Sequence, residues 1–383
     1  MTPTPEAPVI LNYLMAMAEH QASDLYLTVG RGPTLRVEDK MMQISDKAMS
    51  LQDVEAILAA ILTNRQKREF DSAMELNTAL DMGDHGRFRV NVMKQRQFPA
   101  LVIRRITSEI PSFGDLHLPK ILEKLSLEKR GLVLITGITG SGKSTTLASM
   151  VDYRNARGEG HIITIEDPIE YYHDHKQSVV TQREVGVDTE SYAIAMKNAL
   201  RQRPDVILVG EIRDREVMDQ ALTITETGHL CLATIHTNNA YQAIERIVNF
   251  FPEELANQVR LNLAMNLKAI VSQRLIPGVN NELVPAVEIM LNQGLVRELI
   301  LKGEINKIKD VMEQNNSLGM CTFDQCLLGL FEEGLISEET AMSNSDRPSD
   351  LKIKIQQSKL SSSEGGHESG LRKIDTSRIS FGE

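Results

Sequence analysis

A chain of 383 residues exceeds one average domain and suits two domains and a tail. Hydrophobic residues at 42% and charged residues at 25% are ordinary for a packed protein, and the net charge of -10 argues against bulk nucleic acid as a partner. The cysteines, Cys231, Cys321 and Cys326, form no C-x-x-C pair, which excludes a four-cysteine zinc site and a disulfide framework. The start, "MTPTPEAPVI", has no positive, apolar leader, and no run reaches the ~18 apolar residues of a membrane span. A cytoplasmic chain that meets membranes only through partners is the expectation.

Residues 1–106 read as an α+β domain. An apolar-periodic helix carrying Ile10, Tyr13, Leu14 and Met17 leads into "SDLYLTVGRGPTLRV", a strand–turn–strand pattern with Gly30, Gly32 and Pro33 at the turn. A helix near 52–62 follows, then strands near 75–82, 87–94 and 100–106; "RFRVNVMKQ" alternates as a half-exposed strand does. "TSEIPSFGDLHLP" loses all periodicity, so 107–118 is read as a linker.

From 119 to 290 short apolar runs alternate with helical patterns: "LVLIT", "HIITI", "SVV", "VILV", "LCLATI" and "AIVSQRLI". Continuous β-branched runs signal strands covered on both faces, as in a mainly parallel α/β sheet. The segment 291–345 is helical in pattern, and 346–383 is polar, Ser/Gly-rich and expected to be disordered.

Chemistry concentrates in four places. "GITGSGKS", Gly137 to Ser144, fulfils G-x-x-x-x-G-K-[ST] between an apolar strand and a helix, the context a phosphate-binding loop requires. Its backbone N–H groups, from Gly137, Thr139, Gly140, Ser141, Gly142 and Thr145, suit phosphates; Lys143 reaches the β- and γ-phosphates and Ser144 suits Mg²⁺. "TIEDPIEY" places Glu166, Asp167 and Glu170 at the end of a second buried strand, where ligands bind in such sheets. "DVILVGEIRD" ends a third strand in Gly210 and Glu211, where many P-loop ATPases carry an Asp; its acid supply looks halved. "TGHLCLATIHTNNA" puts His229 before a strand and His236 after it, positions for structural histidines or for sensing phosphate. Arg87, Arg89, Arg104 and Arg105 in the first domain are candidates to complete such a site, as arginines from another domain or subunit do in ring ATPases.

"GITGSGKSTTLASM", "IEDPIEY", "ALRQRPDVILVGEIRD" and "TGHLCLATIHTN" occur in the order of the Walker A, Asp box, Walker B and His box of the secretion/type IV pilus ATPase superfamily. With "SDLYLTVG", "RFRVNV", "RRI", "GMCTFDQCL" and "GLIS", the chain resembles its retraction branch, the PilT/PilU twitching-motility ATPases, over most of residues 8–340. The resemblance implies a PAS-like α+β domain joined to a RecA-like P-loop core, assembled as a homo-hexamer that hydrolyses ATP with Mg²⁺. It implies Glu166 on the attacking water, Glu211 with Ser144 on the metal, and His229 and His236 monitoring the γ-phosphate and subunit interface. Arg87, Arg89 and Arg104 become phosphate contacts. Its partners would be a PilT-like retraction ATPase and a platform protein of the pilus inner membrane, at the cytoplasmic face of that membrane.

The resemblance departs at one motif. The retraction signature, approximately Ala-Ile-Arg-Asn-Leu-Ile-Arg-Glu, stands here within "GLVRELILK": Arg297, Leu299 and Ile300 persist, Glu298 replaces Asn, and Leu301 and Lys302 replace Arg-Glu. That departure and the long tail resemble PilU, the accessory branch. They imply either a motor assisting retraction or a nucleotide-binding ring that acts only through a sister ATPase.

Overall fold

In the computed structural model, residues 9–38, 40–83, 86–106, 109–280 and 282–364 are described. They fall into two compact units, one of residues up to 109 with the short segment 169–172, the other of residues 110–168 and from 173 onward.

The first unit runs α1 (Val9–Glu19), β1 (Asp24–Thr28), β2 (Thr34–Val37), β3 (Lys40–Gln43), α2 (Leu51–Ile61), α3 (Asn64–Ala73), β4 (Glu75–Asp81), β5 (Arg87–Gln95) and β6 (Phe98–Ile106). Its sheet has the order β3-β2-β1-β6-β5-β4, with every pair antiparallel. Strand alternation sends Leu25, Leu27, Leu35, Phe88, Val90, Val92, Leu101 and Ile103 into one core with Leu14, Met17 and Val54 of the helices. The opposite sheet face therefore carries the intervening residues, including the cross-strand row Arg36, Asp24, Arg104 and Arg89. Helix α3 escapes a periodicity reading because Phe70 is its only buried residue, although Thr63 and Gln66 spell its capping box.

The second unit continues with α4 (Ile121–Ser126), β7 (Gly131–Thr136), α5 (Lys143–Arg157), β8 (Gly160–Glu166), β9 (Ser178–Glu184), α6 (Tyr192–Ala199), β10 (Val206–Val209), α7 (Arg215–Glu226), β11 (Leu230–Ile235), α8 (Ala240–Asn249), α9 (Ala256–Asn266), β12 (Leu267–Pro277) and β13 (Leu283–Leu291). Helices α10 (Leu295–Lys302), α11 (Ile308–Gln314), α12 (Phe323–Glu332), α13 (Glu338–Asn344) and α14 (Pro348–Glu364) complete it. The sheet order is β13-β12-β7-β11-β10-β8-β9, parallel except for the terminal β12–β13 pair. The apolar runs expected to be strands are so: β7, β10 and β11 are buried at every position. This is the mixed α/β fold expected. Among the described residues no helix is long and apolar enough to cross a membrane.

Two expected boundaries change. The segment 107–118 is not a free connector from residue 110 on, because Phe113 and Leu118 sink into the second unit's core and Ser149 Oγ donates to Pro111 O at 2.8 Å. Apolar residues spaced irregularly give no periodic signal yet still bury. The expected disordered tail begins instead as α14, since Leu351 and Ile355, four residues apart on one face, pack with Phe323, Leu327 and Ile336. Asp346 anchors its start through Arg274 at 2.9 Å and Lys309 at 2.9 Å. Residues 365–383 of that expectation lie outside the described residues. Ile355→Ala is expected to cost about 2–5 kcal/mol, read as a lower urea midpoint, whereas Lys359→Ala, which removes an exposed pair to Glu338 and an ammonium over the Phe331 ring, should cost about 1 kcal/mol or less. An unmoved midpoint for Ile355→Ala would detach α14 from the fold.

Candidate nucleotide site

Strand β7 ends at Thr136 and the chain turns at once into α5, so Gly137–Ser144 wraps the N-terminus of a 15-residue helix. Unpaired N–H groups and the helix dipole make that end attractive to anions. Gly137 has φ +154°, and a Cβ there would lie 2.3 Å from Ser141 Oγ and 2.5 Å from Gln273 O, so only glycine lets the loop close. Lys143 is buried, and its Nζ donates to Gly137 O at 2.9 Å and Ile138 O at 2.8 Å. Its ammonium is thus held inside the loop whose phosphate it is suited to meet. Ser141 Oγ and Thr136 Oγ1 are buried with no hydrogen-bond partner among the described residues. Orphaned hydroxyls beside a curled glycine loop fit a phosphate that supplies the missing partners. Thr139 and Gly140 form the exposed tip of the loop, and Ser144 and Thr145 sit half-buried in the first turn of α5.

The parallel ladder brings the other motifs to the same edge. Ile235 pairs with Thr136, Val209 with Ala233, and Ile165 with Val209, so all four strands finish side by side. Gly210 N donates to Ile165 O at 2.8 Å, which sets the Walker B segment directly against the Asp box. Glu166 Oε1 accepts from Thr164 Oγ1 at 2.6 Å and from Gln182 Nε2 at 3.3 Å, fixing that carboxylate's orientation. Glu211 accepts on both oxygens: Oε2 from Arg213 Nε at 2.7 Å and Oε1 from His236 Nε2 at 3.1 Å. A further Arg213 nitrogen reaches Asp167 at 3.1 Å. Arg213 therefore bridges the acids of the Walker B and Asp boxes. Its bond to Glu211 holds the guanidinium pKa up, and burial, followed by the charge of Lys143, pulls the His236 pKa below its usual value.

A cleft of about 770 Å³ opens beside the loop tip, lined by Ile138, Thr139, His236, Thr237, Gln242 and Arg246. His229 is not part of this site. It stands next to Gly131 at the amino edge of the sheet, and its Nδ1 is engaged with Thr227 Oγ1 at 3.0 Å. The six-residue strand β11 spans roughly 20 Å between the two histidines. Residues flanking a strand lie at opposite edges, so within this chain His236 stands at the phosphate edge of the sheet and His229 at the other. In the first unit, Arg89 and Arg104 are cross-strand neighbours, and Arg104 is paired with the buried Asp24 at 2.9 Å. Arg87 Nε is buried without a hydrogen-bond partner among the described residues.

Sequence reasoning passed over Gln273. Its side chain accepts from Thr146 Oγ1 at 2.7 Å in a buried bond, and its Nε2 would lie 2.8 Å from a Cβ on Gly142. A glutamine interrupting the apolar run of β12 was the available signal. It passed over Tyr192 too, whose phenol pKa is raised by burial and next by Asp167.

The family described as "Type II/IV secretion system protein" matches residues 4–325. The chain belongs to this family. It is 47% identical over 343 residues to the type IV pilus ATPase PilU of Pseudomonas aeruginosa, covering 89% of this chain and 90% of that protein. It is 40% identical over 339 residues to the retraction ATPase PilT of the same organism, covering 88% and 98%. The crystal structure of the pilus retraction motor PilT with bound ADP matches at a TM-score of 0.84 and 40% identity, covering 90% of this chain and 99% of that one. The ATPase DotB of Legionella pneumophila matches at 0.76 and 26% identity, covering 93% and 97%.

For this secretion-family chain, Gly137→Ala forces a methyl into Ser141 and Gln273. Equilibrium titration with a fluorescent ATP analogue should show affinity at least about tenfold weaker, roughly 1.4 kcal/mol. Unchanged affinity would remove the loop from phosphate binding.

Proposed function

We propose that this protein is an ATP-hydrolysing motor that assists type IV pilus retraction, with the character of PilU. The observation that carries the reading is the convergence of the P-loop, the Asp box, the Walker B glutamate and His236 at one carboxyl edge of a parallel sheet. The similarity to PilU and PilT over nearly their whole lengths supports the biological setting.

ATP would seat its β- and γ-phosphates on the N–H groups of 137–145, and Lys143 would exchange its loop carbonyls for phosphate oxygens. The Ser144 hydroxyl and the Glu211 carboxylate are hard oxygen donors of the kind Mg²⁺ takes. Bound there, the ion would neutralise phosphate charge. Glu166, oriented by Thr164 and Gln182, is the group to align the attacking water and accept its proton. His236 and Arg213 hold Glu211 in one orientation. The division of labour answers the apparent shortage of acids in "VGEIRD": one carboxylate serves the water and another the metal.

The finer picture is a RecA-like core, 119–290, with the helical subregion 291–345, joined to a PAS-like domain, 1–106. It assembles as a homo-hexamer at the cytoplasmic face of the inner membrane. Arg87, Arg89 and Arg104 would contact phosphate from the PAS-like domain, and His229 would serve the subunit interface. The ring would work with a PilT-like ATPase and the pilus platform protein. Exchanged residues in α10 favour one variant of this reading, a ring that acts only through the sister ATPase. Lys143→Ala and Glu211→Gln are expected to lower steady-state Mg-ATP turnover at least about a hundredfold. Equal turnover in both variants and the unaltered protein would end the enzyme reading. Retraction restored to a cell lacking the PilT-like ATPase would end the accessory variant.

A further inference from the structure

Tyr192 has no role in the scheme above, yet it stands in the middle of it. It is the first residue of α6, entered through Ser191, whose side chain caps Ile194 N. Its ring is buried in the main core of the second unit, which fixes the direction in which the hydroxyl points. A Cβ built on Gly210 would lie 2.9 Å from Tyr192 Oη, 3.3 Å from Glu166 Cα and 3.3 Å from Ile165 O. The hydroxyl thus fills the space that any side chain at position 210 would take, where the Asp box and Walker B segments touch. The charges that act on it are Asp167, Arg213, Glu166 and Glu211, the acids of both motifs and the arginine bridging two of them.

A phenol keeps its proton at neutral pH, so among carboxylates it is a donor. A donor buried on a rigid ring costs nothing to reorient when charge shifts in the crevice. We infer that Tyr192 is a positioning residue for hydrolysis, its hydroxyl standing as a donor at the junction of the Asp box and Walker B and holding the attacking water in line with the phosphate. Gly210 is then a requirement of space: the strand ends without a side chain so that a hydroxyl from α6 can reach the acids. This inference rests on the ATPase reading.

Tyr192→Phe keeps the ring and removes the oxygen, so it separates donation from packing. The expected result is an unchanged thermal midpoint and unchanged ATP KM, with kcat lower by about tenfold to a hundredfold. Gly210→Ala should also lower kcat, and by a smaller factor in the Tyr192→Phe background, where its methyl no longer meets an oxygen. Unchanged kcat in Tyr192→Phe overturns the inference. So does a loss confined to KM or thermal midpoint, which a packing role alone produces. Lys143→Ala is measured alongside: if it too retains full turnover, the ATPase reading fails, whereas a dead Lys143→Ala beside a fully active Tyr192→Phe removes only the role of Tyr192.

Discussion

The parallel register of β7, β11, β10 and β8 is the constraint on which the site depends. Four strands of similar direction end level with one another, through pairs such as Ile235 with Thr136 and Val209 with Ile165. Strands β7, β10 and β11 are buried at every position and β8 through its middle, so the reacting groups collect in the loops beyond their ends. Loops far apart in the chain become neighbours because backbone hydrogen bonds count residues identically in every strand. The same rule keeps His229 away, since it precedes the strand that His236 follows.

Strand β12 adds a second constraint at the edge of that sheet. Ser272 donates to the buried Glu288 at 3.2 Å, and Glu288 accepts from Ala240 N at 2.8 Å, at the start of α8. Gln273 takes the Thr146 hydroxyl and packs against the glycines of the loop. Arg274 donates to Asn344 O at 2.8 Å, pairs with Asp346 and lies over the Phe323 ring at 3.8 Å. Adjacent residues therefore hold the histidine loop's helix, the phosphate loop and the C-terminal helices. A displacement of this strand would move all three sets of contacts together. Burial raises the Glu288 pKa, and its two donors oppose that rise, so the carboxylate is a structural tie.

Much of this was legible in advance. Strand identities followed from continuous apolar runs, and the phosphate loop from a complete motif in its required context. Elements that bury few apolar residues were not: α3 buries Phe70 alone, and α14 buries Leu351 and Ile355 while its Ile353 and Leu360 stay exposed. Composition averages over such a stretch, whereas a helix needs one buried face only four residues apart. The 110–118 segment escaped for the related reason that its buried Phe113 and Leu118 follow no period.

By itself the sequence determined the phosphate loop, the acids at the strand ends and the family, because each depends on residue type at short spacing. Only the tertiary structure decided which groups share the site. It set Gln273 against Gly137 and Gly142, tied Arg213 to both Glu211 and Asp167, and placed the Tyr192 hydroxyl over Gly210. Those are contacts between segments far apart in the chain or across a turn. Their distances come from sheet register and packing, which residue order alone does not express.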